Sequence, residues 1–131
     1  MSYWHFTSLM HAEDILQQGV ILPTESNVSF TDDHHGPDVV WLLDTPTVQF
    51  SHGLTEHKTA ARFEVEVPAI KWTEWEWTSR MEDWVRRALV KSGGGEEAAD
   101  HWFIWPAGIH RRNWLSADAV TQAGPEVIFK K

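Results

Sequence analysis

Residues 3–21 read YWHFTSLMHAEDILQQGVI, and the change of period inside this stretch decides how the rest of the chain is read. Tyr3, Trp4 and Phe6 suit a half-buried strand. From Leu9 onward the apolar residues Leu9, Ala12, Ile15 and Leu16 recur at helical spacing, with Ser8 placed to cap the first turn and Gly19 to end the last. Val20–Leu22 follows as a short apolar segment stopped by Pro23, and Thr24-Glu25-Ser26-Asn27 as a polar loop rich in donors and acceptors.

Working outward, Val39–Leu43 (VVWLL) has the composition of a fully buried strand, and Asp44-Thr45-Pro46 is expected to open a short helical turn. From Thr59 to Val67 the chain alternates, with Ala61, Phe63, Val65 and Val67 against Arg62, Glu64 and Glu66, which predicts a strand with one wet face closed by Pro68. Trp72, Trp75 and Trp77 are expected in the core or at its rim. Ser79 and Glu82 have the S-x-x-E spacing of a capping box, so a second helix is predicted there, striped by Trp84, Val85, Ala88 and Leu89 and ended by Gly93–Gly95. His101–Trp105, Trp114–Val120 and Glu126–Phe129 read as further strands, the last an edge strand. Short strands around two helices, without repeats or regular βαβ alternation, predict an α+β fold, and 131 residues make one compact domain spanning 1–131.

Composition removes several chemistries. The chain has no cysteine, so disulfides, thiolate catalysis and Cys-type zinc sites are excluded. The net charge of −8, from 19 acidic and 11 basic residues, argues against a general nucleic-acid binder. No apolar run approaches the ~20 residues of a membrane span, and the N-terminus has neither the basic region nor the apolar core of a leader. A cytoplasmic protein without membrane partners is expected. His34-His35 beside Asp32 and Asp33 lack the spacing of a helical zinc pair and read as a hydrated acidic loop, so no metal is expected. Gly93–Gly95 lacks the lysine and hydroxyl of a phosphate-binding loop, there is no G-x-S-x-G, and Glu64 with Glu66 is a common solvated strand pair.

His5 stands apart, mid-strand among large apolar side chains and followed by Thr7 and Ser8. A strand sends His5 and Thr7 to the same face, where an imidazole and a hydroxyl can meet one polar ligand edge such as a ribose or a carboxamide. A core histidine with its hydrogen bonds satisfied is the competing reading.

These residues carry a resemblance. The run Tyr3–Leu9, followed by Ile15-Leu16 and Gly19-Val20-Ile21, is similar to the first strand and helix of the ADP-ribosyltransferase superfamily, which includes poly(ADP-ribose) polymerases, DNA-modifying toxins and RNA 2′-phosphotransferases. Gly36–Asp44 resembles its second core strand and Lys58–Pro68 a following one. The order H-F-T-S-L, P-T-E-S-N, V-V-W-L, H-G-L, K-T-x-x-R-F-x-V-x-V-P and W-F-I-W looks like small bacterial and phage proteins of that group. The resemblance implies a split β-sheet core with two main helices and an NAD-dependent mono-ADP-ribosyltransferase acting on a protein or nucleotide target, in phage–host or toxin conflict. The alternative it leaves is a noncatalytic nucleotide-binding or inhibitor module. In either case His5 would hydrogen-bond the nicotinamide-side ribose, with Thr7 in support. Trp41 would flank the nicotinamide ring and Arg62 the pyrophosphate, with Ser26 and Asn27 on the ligand lip. The chain departs from the superfamily's pattern in having no late glutamate in a recognisable motif; Glu25 is the first candidate for that role, Glu64 the second and Glu126 the third.

Overall fold

A computed structural model describes residues 1–23, 38–46, 60–92, 94–121 and 124–131 of the chain. The described residues hold nine strands: β1 (Tyr3–Thr7), β2 (Val20–Ile21), β3 (Val40–Leu43), β4 (Ala61–Val65), β5 (Ile70–Lys71), β6 (Trp102–Trp105), β7 (Ile109–His110), β8 (Trp114–Thr121) and β9 (Gly124–Lys130). The helices among the described residues are α1 (Leu9–Gln18), α2 (Glu76–Arg80), α3 (Asp83–Ser92) and α4 (Glu96–Ala99), with short 3-10 turns at Trp72–Glu74 and Arg111–Asn113. Seven strands form one sheet in the order β5-β6-β3-β1-β4-β8-β9, and β2 pairs separately with β7. Each of these pairings is antiparallel. The fold is therefore α+β, and α1 and α3, ten residues each, are the longest helices among the described residues.

Helix α1 forms where its end signals predict. The Ser8 side chain accepts from the His11 backbone N–H at 3.2 Å, and Gly19 takes the left-handed conformation at φ 75° to close the last turn. Ala12 and Ile15 carry the buried stripe. The last turn of α1 has no cation of its own. Arg111, 95 residues away from Leu16 in sequence, supplies one: its guanidinium donates to the Leu16 carbonyl and lies 5.5 Å from the Trp114 ring centroid. Ser8→Ala removes the first of these end contacts and is expected to cost about 1 kcal/mol, read as a lower urea midpoint at unchanged slope; an unchanged midpoint would show the cap to be dispensable.

The capping box at Ser79–Glu82 does not form. Ser79 Oγ instead donates to the Glu76 carbonyl at 2.8 Å near the end of α2, and the Glu82 carbonyl accepts from Val85 and Arg86 to start α3. Met81 separates the two helices in an extended conformation, ψ 145°, with its side chain only 7% exposed. Burying that side chain outweighs continuing the helix through it. Asp44–Pro46 is a bend within the described residues rather than a helical turn.

The sheet separates two apolar clusters. Strand residues alternate, so Val40 and Leu42 of β3 join Tyr3, Phe63, Val65, Trp114 and α1 on one face. Trp41 and Leu43 turn to the other, against Trp72, Trp75, Val85 and Trp102. Trp72 and Trp75 are buried and Trp77 half-buried beneath the Arg80 guanidinium, as the packing reading expects. At the sheet margin β9 carries a bulge: Ala117 pairs with Phe129 but Asp118 with Val127, leaving Ile128 as the extra residue. Both Ile128 and Phe129 consequently pack against the first cluster.

Candidate functional site

The face of β1 that carries His5 and Thr7 extends across the sheet through its register. His5 lies opposite Phe63 and Thr7 opposite Ala61. On β8 the partners of those two are Ala117 and Ala119, and on β9 the partners in turn are Phe129 and Glu126. One row thus runs Thr7, Ala61, Ala119, Glu126, with only alanines between a hydroxyl and a carboxylate. Three interstrand steps separate its ends, about 14 Å. Ala61 and Ala119 are buried, while Glu126 is exposed.

His5 is half-buried, and its Nδ1 lies 3.0 Å from the Trp41 carbonyl oxygen. A carbonyl can only accept, so Nδ1 carries the proton and the neutral ring keeps a lone pair on Nε2. Burial pushes the His5 pKa below its ordinary value of 6.5; the bond to Trp41 opposes that shift, and nearby His11 adds to it. In unfolding, the released chain takes up the proton first, so this group lowers stability on acidification. Its contribution is complete above pH 6.5 and is lost as pH falls from 6.5 toward the folded-state value. Chemical denaturation of wild type and His5→Asn from pH 8 to 5 should show a steeper loss below pH 6.5 in wild type alone; equal profiles would contradict this linkage.

Three other sequence candidates lie across the sheet from His5. Trp4 pairs with Leu43, so Trp41, two residues along β3, shares the face of Trp4 and Phe6. Its ring meets Trp102 edge-on at 6.0 Å, within the second cluster. Arg62 pairs with Phe6 on this same face, and its guanidinium is engaged there, donating to the Pro46 carbonyl at 2.6 Å and facing Asp118 at 3.5 Å. Glu64, opposite Trp4, accepts from Ser2 Oγ at 2.7 Å on that side too. His5 and Thr7 therefore share one face and Trp41, Arg62 and Glu64 the other; His5 meets Trp41 only at its backbone carbonyl. Glu25, Ser26 and Asn27 lie outside the described residues, as do His34, His35, His52 and His57. Of the two glutamate candidates among the described residues, the register puts Glu126 on the His5 face and Glu64 on the other.

Sequence reasoning passed over one pair. His101 Nδ1 lies 2.6 Å from Asp44 Oδ1, and the Asp44 N–H donates to the His101 carbonyl at 3.3 Å, joining the exit of β3 to the entry of β6. The pairing of these strands, Leu43 with Trp102, was the only signal that could have linked two residues 57 apart. Among the described residues, no three His, Cys, Asp or Glu side chains are grouped to hold a metal, and no helix is long and apolar enough to cross a membrane. Comparison with protein-family models, curated proteins and solved structures returns no match.

Proposed function

We propose that the protein is an ADP-ribosyltransferase of the NAD-dependent mono-transferring kind, acting on a protein or nucleotide target, with its reactive end at the His5–Thr7 face. The observation that carries this reading is the His5 tautomer: donation from Nδ1 to Trp41 leaves an Nε2 acceptor beside a threonine on the same strand face. Such an acceptor suits a ribose hydroxyl, while the Thr7 hydroxyl on the same face is itself buried beside the first apolar cluster. The fit of the other expected ligand contacts is limited, because Arg62 and Trp41 belong to the opposite face.

In this reading His5 and Thr7 hold the nicotinamide-side ribose. A glutamate, Glu25 first as the resemblance implies, orients the 2′-hydroxyl and offsets the positive charge that develops at C1′ as the bond to the nicotinamide nitrogen breaks. Nicotinamide leaves with that bond's electron pair, and the acceptor's nucleophile forms the new bond to C1′ and gives up its proton. Glu126 shares the face of His5 by register but stands three strands away from Thr7, so Glu25 keeps the leading place for the carboxylate.

A second reading, a noncatalytic nucleotide-binding or inhibitor module, draws on the engagement of Arg62 by Asp118 and the Pro46 carbonyl, which occupies the cation expected at a pyrophosphate. Two measurements separate the readings. Calorimetry with NAD tests binding, and incubation with labelled NAD and lysate tests transfer. Binding with label transfer that Glu25→Gln abolishes is the expected result; binding without transfer favours the module. Absence of both in the folded protein overturns the NAD site.

A further inference from the structure

The cations of this acidic chain are not evenly spread. Residues 101–117 and 127–131 contain four of the eleven lysines and arginines, namely Arg111, Arg112, Lys130 and Lys131, and no aspartate or glutamate. The remaining residues hold all 19 carboxylate side chains against seven such cations. Folding draws the four into one corner. The Arg111–Asn113 turn leads into β8, where Ser116 pairs with Lys130 of β9, and Lys131 Nζ donates to the Arg112 carbonyl at 2.6 Å. All four side chains are exposed, with exposed His110 beside them. Arg111 is occupied by the end of α1 and by Trp114, whereas Arg112 and Lys130 are exposed at the corner and the exposed Lys131 ammonium keeps two further N–H donors beyond its bond to the Arg112 carbonyl. Glu66 borders the corner through its backbone bonds to Asn113.

We infer that this corner is a docking surface for the phosphate backbone of a nucleic-acid strand. The inference is independent of the NAD reading. A polymer with evenly spaced anions can reach cations standing on two separate elements, and the Arg112 guanidinium matches the paired oxygens of a phosphate. The carboxylate-rich remainder repels the same polymer, so the strand is held in one orientation at this corner. This reconciles local nucleic-acid contact with a net charge of −8.

Fluorescence anisotropy with a labelled single-stranded oligonucleotide, titrated from 50 to about 200 mM salt, tests the surface. Three phosphate contacts at about 0.7 each predict a log–log salt slope near −2, and Arg112→Gln or Lys130→Gln should each reduce its magnitude by about 0.7. Reversing both charges, Arg112→Glu with Lys130→Glu, should weaken binding at least about tenfold at low salt. Arg80→Glu with Arg87→Glu, on α2 and α3, should change it little. No anisotropy change for wild type at 50 mM salt, a flat salt slope, or equal loss in both double variants overturns the inference. Equal binding of poly-glutamate or of phosphatidylserine vesicles overturns it as well, since the surface would then be a general anion site.

Discussion

Trp114→Ala is expected to remove about 4 kcal/mol of folding free energy, the largest effect of any single change considered for this chain. The side chain is 0% exposed and reaches both ends of its surroundings. Its ring packs edge-on to Phe63 at 5.2 Å and to Phe129 at 5.3 Å, bridging β4, β8 and β9. Its Nε1 donates to the Ile109 carbonyl at 3.0 Å, tying the separate β2–β7 ladder to the main sheet. Alanine would leave a cavity, orphan that buried carbonyl and remove the surface on which the Arg111 guanidinium lies. Domains of this size have roughly 5–15 kcal/mol to lose, so a large part of the reserve goes with one residue. Trp114→Phe restores most of the volume but not the donor, and about 2 kcal/mol is expected. Urea denaturation followed by circular dichroism reads both. If the alanine variant kept the wild-type midpoint, Trp114 could not hold the position described for it.

The second large effect concerns His5, where two substitutions divide the ring's duties. An asparagine amide can take the place of Nδ1 and donate to the Trp41 carbonyl, but offers nothing at the position of Nε2. A glutamine extends toward Nε2 and gives up the inner contact. His5→Asn is therefore expected to keep the fold within about 1 kcal/mol while weakening NAD binding roughly ten- to a hundredfold, the loss of one acceptor facing a desolvated hydroxyl. His5→Gln should show the reverse pattern, with lower stability and part of the affinity retained. Calorimetry beside denaturation separates the outcomes. If His5→Asn bound NAD as wild type does, the histidine would be a structural residue and the reactive face would lie elsewhere.

The elements of the fold were readable where the governing interactions are local. Ser8 and Gly19 bound α1 as expected because a cap acts within one turn of its helix, and the period-two alternation from Ala61 to Val65 names the buried side of β4 without any partner. The break at Met81 was not readable in the same way. The S-x-x-E spacing is present, yet the burial of one methionine against a cluster assembled from distant strands decides where the helix stops. The site divides along the same line. That His5 and Thr7 share a face follows from one strand alone. Which face Trp41 takes depends on the pairing of Trp4 with Leu43, and a slip of one residue there would have brought Trp41 round to His5. Nothing within Val39–Leu43 records that register. The row joining Thr7 to Glu126 depends on three successive registers and is still further from local inspection.

Among the described residues, β9 stands at the outer margin of the sheet. A long, flat outer strand is a template on which other molecules can add their own strands and grow into filaments. At Ile128 the chain contributes one residue more than its neighbour can match, which twists the margin and puts its outward amide groups out of step with any straight incoming strand. The same irregularity that seats two consecutive hydrophobic side chains inside thus works against strand addition outside.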